Sequence, residues 1–176
     1  MQAANNHLEF GVNLDFYGET VLAADRDFRE AGTGALILHD TTLSVVPLTV
    51  DVRVLPAGRY RMRGERRVMR PAFYVGGGMG FNFWEYEELG DFVDTNAVGD
   101  PIYFDRFKDS GVAFELHALA GVEFPINSRF HVLVEGRRSW SEAKPDESYA
   151  EFFLAPRNND LELDATSIFA GVSFRF

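Results

Sequence analysis

Six stretches of this chain alternate apolar residues with small or polar ones, and a period of two restricts the fold to β-structure. They span 7–17, 42–55, 68–86, 110–125, 129–141 and 163–176. The fourth is the clearest. Val112, Phe114, Leu116, Ala118, Ala120, Val122 and Phe124 alternate with Glu115, His117, Gly121 and Glu123. The last stretch sets Ile168, Ala170, Val172, Phe174 and Phe176 against Ser167, Gly171, Ser173 and Arg175, and the sequence stops on an aromatic. One face of each stretch is free of charge, whereas the other carries Glu, Asp, Arg, His and runs of Gly. A soluble sandwich or barrel would turn the charged, Gly-rich face to water, where glycines weaken a strand without use. A barrel in a membrane turns the apolar face to lipid and the polar face to its lumen. The expected fold is therefore all-β: one domain over 1–176, an antiparallel up-and-down transmembrane β-barrel.

The connections alternate long and short: about 18–41, 56–66, 87–109, 126–128 and 142–162. Outer-membrane barrels pair long extracellular loops with short periplasmic turns in this way. The tight turn Ile126-Asn127-Ser128 suits an Asn at positive φ. Segments 20–24 and 34–39 are expected to lengthen the first hairpin, with Asp25 to Thr33 as its tip. Six strands leave too little room for interior side chains, and bacterial barrels have eight or more. Six of an expected eight strands are thus visible. The first hairpin and a signal peptide are expected to be missing, and the sheet is expected to be curved and incomplete.

The 17 Phe fit β-structure with aromatic surfaces, and a net charge of −10 argues against a nucleic-acid partner. With no Cys, disulfides and thiolate chemistry are excluded. No stretch of 18 apolar residues is present, which rules out a membrane helix but not a barrel. Gly76-Gly77-Gly78-Met79-Gly80 lacks the Lys-Ser or Lys-Thr of a phosphate loop, and is read as inward space for neighbouring side chains.

The candidate site is a lumen ion-pair network of Glu9, Asp51, Arg53, Glu115, His117, Glu123, His131, Glu135, Arg137 and Arg175. Asp15 and Arg70 share the inward face. Pairing Pro125 with Arg129 across the turn would set Glu123 opposite His131, Arg137 opposite His117 and Glu135 opposite Leu119. Buried charges need such partners, so the network reads first as a structural plug and second as an ion path. His7, His117 and His131 have no helical metal spacing, and Ser128 with His131 makes no complete triad, so neither metal, cofactor nor catalysis is expected. The acidic run Glu85, Glu87, Glu88, Asp91, Asp94, Asp100, Asp105 and Asp109 is read as a solvated loop, with bridging to lipopolysaccharide through divalent ions as the alternative. Trp84, Tyr86, Phe92, Tyr103, Phe104 and Trp140 are placed in an aromatic girdle at the outer interface.

Arg70-Pro71-Ala72-Phe73-Tyr74-Val75-Gly76-Gly77-Gly78-Met79-Gly80-Phe81, His117-Ala118-Leu119-Ala120-Gly121-Val122-Glu123, Glu135-Gly136-Arg137 and the terminal Phe-Arg-Phe together resemble the small outer-membrane β-barrel domain family of the OmpA, OmpX and OmpW type. The resemblance covers about residues 7–176. It implies a bacterial outer-membrane location and contact with outer-membrane lipid and lipopolysaccharide. It also implies insertion by the outer-membrane assembly machinery, which would read Phe174 and Phe176 as its signal. It does not imply one activity. The expected role is structural or interactive, carried by loops 18–41, 87–109 and 142–162 toward an unidentified surface partner. The alternatives are a small-solute channel or carrier, a lipid-modifying enzyme and a soluble ligand-binding barrel.

Overall fold

The computed structural model describes residues 2–3, 6–94, 97, 99, 101–127, 129–146 and 160–174. Among them the chain is all-β and antiparallel, in eleven strands. These are β1 (Gln2–Ala3), β2 (Leu8–Leu14), β3 (Tyr17–Arg29), β4 (Leu36–Val54), β5 (Tyr60–Arg63), β6 (Arg66–Met69), β7 (Ala72–Val93), β8 (Ile102–Pro125), β9 (Phe130–Ala143), β10 (Leu161–Glu162) and β11 (Ala165–Phe174). β2 and β3 keep one register on β4 as far as Ala24, beyond which it shifts. Leu14 pairs with Leu48, Tyr17 pairs with Val45, and the Asp15 N–H donates to the Pro47 carbonyl between them. Six long passes result, in the order β2/β3, β4, β7, β8, β9, β11, and each contains one of the six alternating stretches.

The passes curl but do not close. No ladder joins β2 to β11 among the described residues, so the sheet is open and up-and-down, incomplete as expected for six visible strands, rather than a closed barrel. Its curvature brings strands that are not neighbours into contact. Asp15, just after β2, pairs with Arg137 on β9, and Arg53 on β4 pairs with Glu135 on the same strand. The glycine run permits close approach. A Cβ on Gly76, Gly78 or Gly80 would fall 2.0–2.3 Å from the Val52, Val50 and Leu48 carbonyl oxygens of β4. These glycines therefore let backbone meet backbone, besides making room for His117.

Three connections read as loops are strand. β7 runs 22 residues and β8 runs 24, about twice what a tilted strand needs to cross a bilayer. The expected loop 87–109 shrinks to 94–101, and the acidic run is mostly ladder. The expected loop 18–41 lengthens the first hairpin as 20–24 and 34–39 suggest and is strand beyond them, since β3 runs from Tyr17 to Arg29 and β4 starts at Leu36, and 56–66 holds much of the hairpin β5–β6. Acidic composition suggested solvated loops. Cross-strand ion pairs, Glu85 with Lys108 and Glu87 with Arg106, instead support an exposed ladder.

Two apolar layers bracket the inner face. Val45, Trp84, Ala113, Ala143 and Leu163 form the upper one, with Leu43, Tyr86 and Leu161 packed against it. Leu55, Ala72, Tyr74 and Leu119 form the lower one. Trp84 is thus buried inside the sheet rather than in an outer girdle, because its even position on β7 shares the face of Tyr74 and Asn82. Trp140 and Phe104 are exposed.

Candidate functional site

Between those layers the inner face is polar, and nearly all its charges are buried. Arg53 lies 2.7 Å from Asp51 through Nε and 2.9 Å from Glu135 through Nη2, with its guanidinium over the Tyr74 ring at 5.0 Å. Asn13 donates to Asp51 at 3.1 Å, and the Tyr74 hydroxyl donates to Glu135 at 3.0 Å. Arg137 spans Glu135 at 3.3 Å and Asp15 at 2.9 Å, with its guanidinium over the Phe169 ring at 5.0 Å. Glu115 and His117 form a second pair at 3.3 Å. Glu123 lies 3.5 Å from His131 Nδ1 and accepts from the Ser173 hydroxyl at 3.3 Å.

Sequence reasoning missed the central cation at the lower end. Arg59, 3% exposed, inserts from the loop that leads into β5 and pairs with both Glu9 and Glu123. Its Nε donates to Glu123 at 3.2 Å. The loop is held by Gly58 at φ +68°, by the Asn6 side chain accepting from the Arg59 and Tyr60 N–H groups, and by Arg70 donating to the Gly58 carbonyl. Arg70 thus supports the turn and, among the described residues, pairs with no inward acid. A turn signal, Pro56-Ala57-Gly58 followed by Arg, was present, but alternation does not extend into a turn. A cavity of about 10 Å³ beside Arg59, Glu123 and His131 has roughly the room of one water.

The network unites Glu9, Asp51, Arg53, Glu115, His117, Glu123, His131, Glu135 and Arg137 on one face, but in a different register from that expected. Pro125 pairs with His131, Glu123 with Leu133, Gly121 with Glu135 and Leu119 with Arg137. The connection after Pro125 is longer than a three-residue turn. Asn127 closes it with its side chain, which accepts from the N–H groups of Arg129 and Phe130. Glu123 reaches His131 diagonally instead of directly across. Arg175, Phe176 and Ser128 lie outside the described residues, as does the Phe174 side chain, although the Phe174 backbone pairs with Phe130.

The outer face inverts the usual distribution. Val50, Phe73, Met79, Phe81, Phe83, Val112, Phe114 and Leu116 are all exposed, while Asp51, Glu115, His117 and Glu135 are buried. Higher on the same strands the outer face turns polar, with Thr20 bonded to Thr42 at 2.9 Å, Glu85 to Lys108 at 2.7 Å and Glu87 to Arg106 at 2.7 Å. There the hydrogen bond from Arg106 holds the Glu87 carboxyl below its ordinary range. Inside this upper region Glu88 is buried and accepts from the Tyr86 hydroxyl at 2.7 Å. Burial raises the Glu88 carboxyl above its ordinary range, and burial and Glu88 together raise the Tyr86 hydroxyl.

Compared with protein-family models, curated proteins and solved structures, the chain matches none.

Proposed function

We propose that this chain is an integral β-barrel protein of the bacterial outer membrane, with a structural or surface-interaction role. The supporting observation is the reversal of outer-face polarity along single strands. On β7 the exposed apolar face runs from Phe73 to Phe83 and then gives way to Glu85 and Glu87. That stretch is about 33 Å along the strand. At a tilt of about 45° it is close to the ~25 Å apolar band of a membrane barrel. Water would not favour such a band, whereas lipid would.

The lumen supports a plug over a channel. Arg59, bonded to Glu9 and Glu123, crosses the lower end, and Arg53 and Arg137 tie opposite walls together. Removing one member of such a pair leaves a buried charge uncompensated. The partners proposed are outer-membrane lipid, lipopolysaccharide and the assembly machinery. In hydrocarbon the edge of β2 beyond its short pairing with β1, and the edge of β11, need pairing strands, since each unsatisfied backbone group costs several kcal/mol. Heat-modifiable mobility of this chain as a compact monomer would show that six passes suffice.

The native sequence has no Cys, so single-Cys labels are specific. Nitroxides at Phe81 and Glu87, on one face of β7, test the location. The expected result is oxygen access with nickel protection at 81, and the reverse at 87. Equal access by nickel at both positions would overturn the membrane reading. Current through planar bilayers that survives in the wild-type chain would favour the channel.

A further inference from the structure

We infer that the outer face of the upper sheet is a docking surface for a polypeptide that combines apolar side chains with Lys or Arg. Above the ion-paired band the outer face turns apolar a second time. Leu22 on β3, Leu38 on β4, Leu89 on β7 and Phe104 on β8 are 67, 39, 37 and 70% exposed. The ladder sets them in rows. Leu22 pairs with Asp40, Asp40 with Leu89 and Leu89 with Arg106. Toward the tip, Ala24 pairs with Leu38 and Asp91 with Phe104. Scattered exposed apolar residues are ordinary, but here four of them share one face of neighbouring strands and interleave with Asp40, Asp91 and Arg106, as a mixed apolar and charged interaction surface would.

The charges select the occupant. In the band below, Glu85 and Glu87 each have a cation, and Arg106 is engaged there. Asp40 and Asp91 stand among the apolar residues with no ion pair among the described residues. A cationic, apolar surface would meet both features. A second copy would bring the same acids together in a chain of net charge −10. Lipid is distant, because Leu89 lies six residues above Phe83, about 20 Å along the strand. The inference rests on the membrane reading only in placing this face in water.

The test uses the full chain in phosphatidylcholine nanodiscs. It is titrated calorimetrically with a short acetylated peptide alternating leucine and lysine, and with the matched leucine–glutamate peptide, with empty discs subtracted. The lysine peptide is expected to bind about tenfold tighter, since like charges at an interface are strongly unfavourable. D40K/D91K should reverse that preference, and L22S/F104S should weaken both peptides. Equal binding of the two peptides, or a preference unchanged by D40K/D91K, overturns the inference. So does a nitroxide at position 89 that reports lipid, or a dimer in sedimentation that L22S/F104S dissolves. A chain that stays in solution without lipid would refute the membrane reading alone, and the same titration in buffer would still decide the docking surface.

Discussion

The lower and upper halves of this sheet share strands, register and pleat, yet they distribute polarity in opposite ways. In the lower half Glu9, Asp51, Arg53, Glu123 and Glu135 are buried and Val50, Val52, Phe73 and Phe81 are exposed. In the band above it, Val45, Trp84 and Ala113 are buried and Glu85, Lys108 and Arg106 face out. A strand's geometry decides only that neighbours point to opposite faces. The surrounding medium decides which face carries which residues. The contrast therefore localises a change of outer-face polarity along β4, β7 and β8, which the proposed membrane reading assigns to a change of solvent, and the same comparison states how to challenge it.

The largest contrast is between two arginines. Arg59→Ala leaves Glu9 and Glu123 buried without their cation and should cost about 3–5 kcal/mol in urea unfolding from lipid. Arg106→Ala, on the exposed band, should leave the midpoint unchanged. Equal losses would mean that the lower lumen is no less solvated than the band. Next come two positions on the outer face of β4. Val50→Arg should cost about 2–4 kcal/mol of folding stability in lipid. Thr42→Arg should stay within about 0.5 kcal/mol, as surface changes do. A Val50→Arg chain that folds as well as wild type would remove the lipid belt.

Glycines give a smaller contrast. Gly78→Ala must push a Cβ into the Val50 carbonyl, 2.0 Å away, and should cost about 1–3 kcal/mol. Gly18→Ala, whose nearest neighbour would be Phe16 at 3.4 Å, should be close to neutral. Thermal melts of the two variants compare them directly. The smallest effect concerns pH. Burial raises the Glu88 carboxyl, so the folded state holds a proton that the unfolded chain has already released. Stability should therefore fall as pH rises from the ordinary carboxylate range through the raised value, and level off above it. Glu88→Gln should flatten that slope and keep the bond from Tyr86. An unchanged slope in pH-dependent unfolding would assign it to another group.

Alternation is local, so it could be read from residues two apart. It identified all six passes and placed nine of the ten network residues on the inner face. It also put Tyr74 and Asn82 on the face opposite Phe73 and Phe81, which is where they lie. It stopped short where the outer face turns polar. There Glu85, Glu87, Arg106 and Lys108 alternate without an apolar stripe, and their composition resembles a loop.

Tertiary structure decided what no single strand contains. Asp15 meets Arg137, and Arg53 meets Glu135, only because the sheet curls until strands three or four places apart face each other. That curl depends on accumulated twist and on glycines that admit a neighbouring backbone. Arg59 reaches Glu9 and Glu123 from a turn, where periodicity carries no information. The register after Pro125 followed from an Asn127 side-chain bond instead of from residue counting. The sequence by itself determined which residues share a face, because the pleat is a two-residue property. Curvature, charge pairing and the lower plug were decided only when all the strands were in place, because each depends on residues that are distant along the chain.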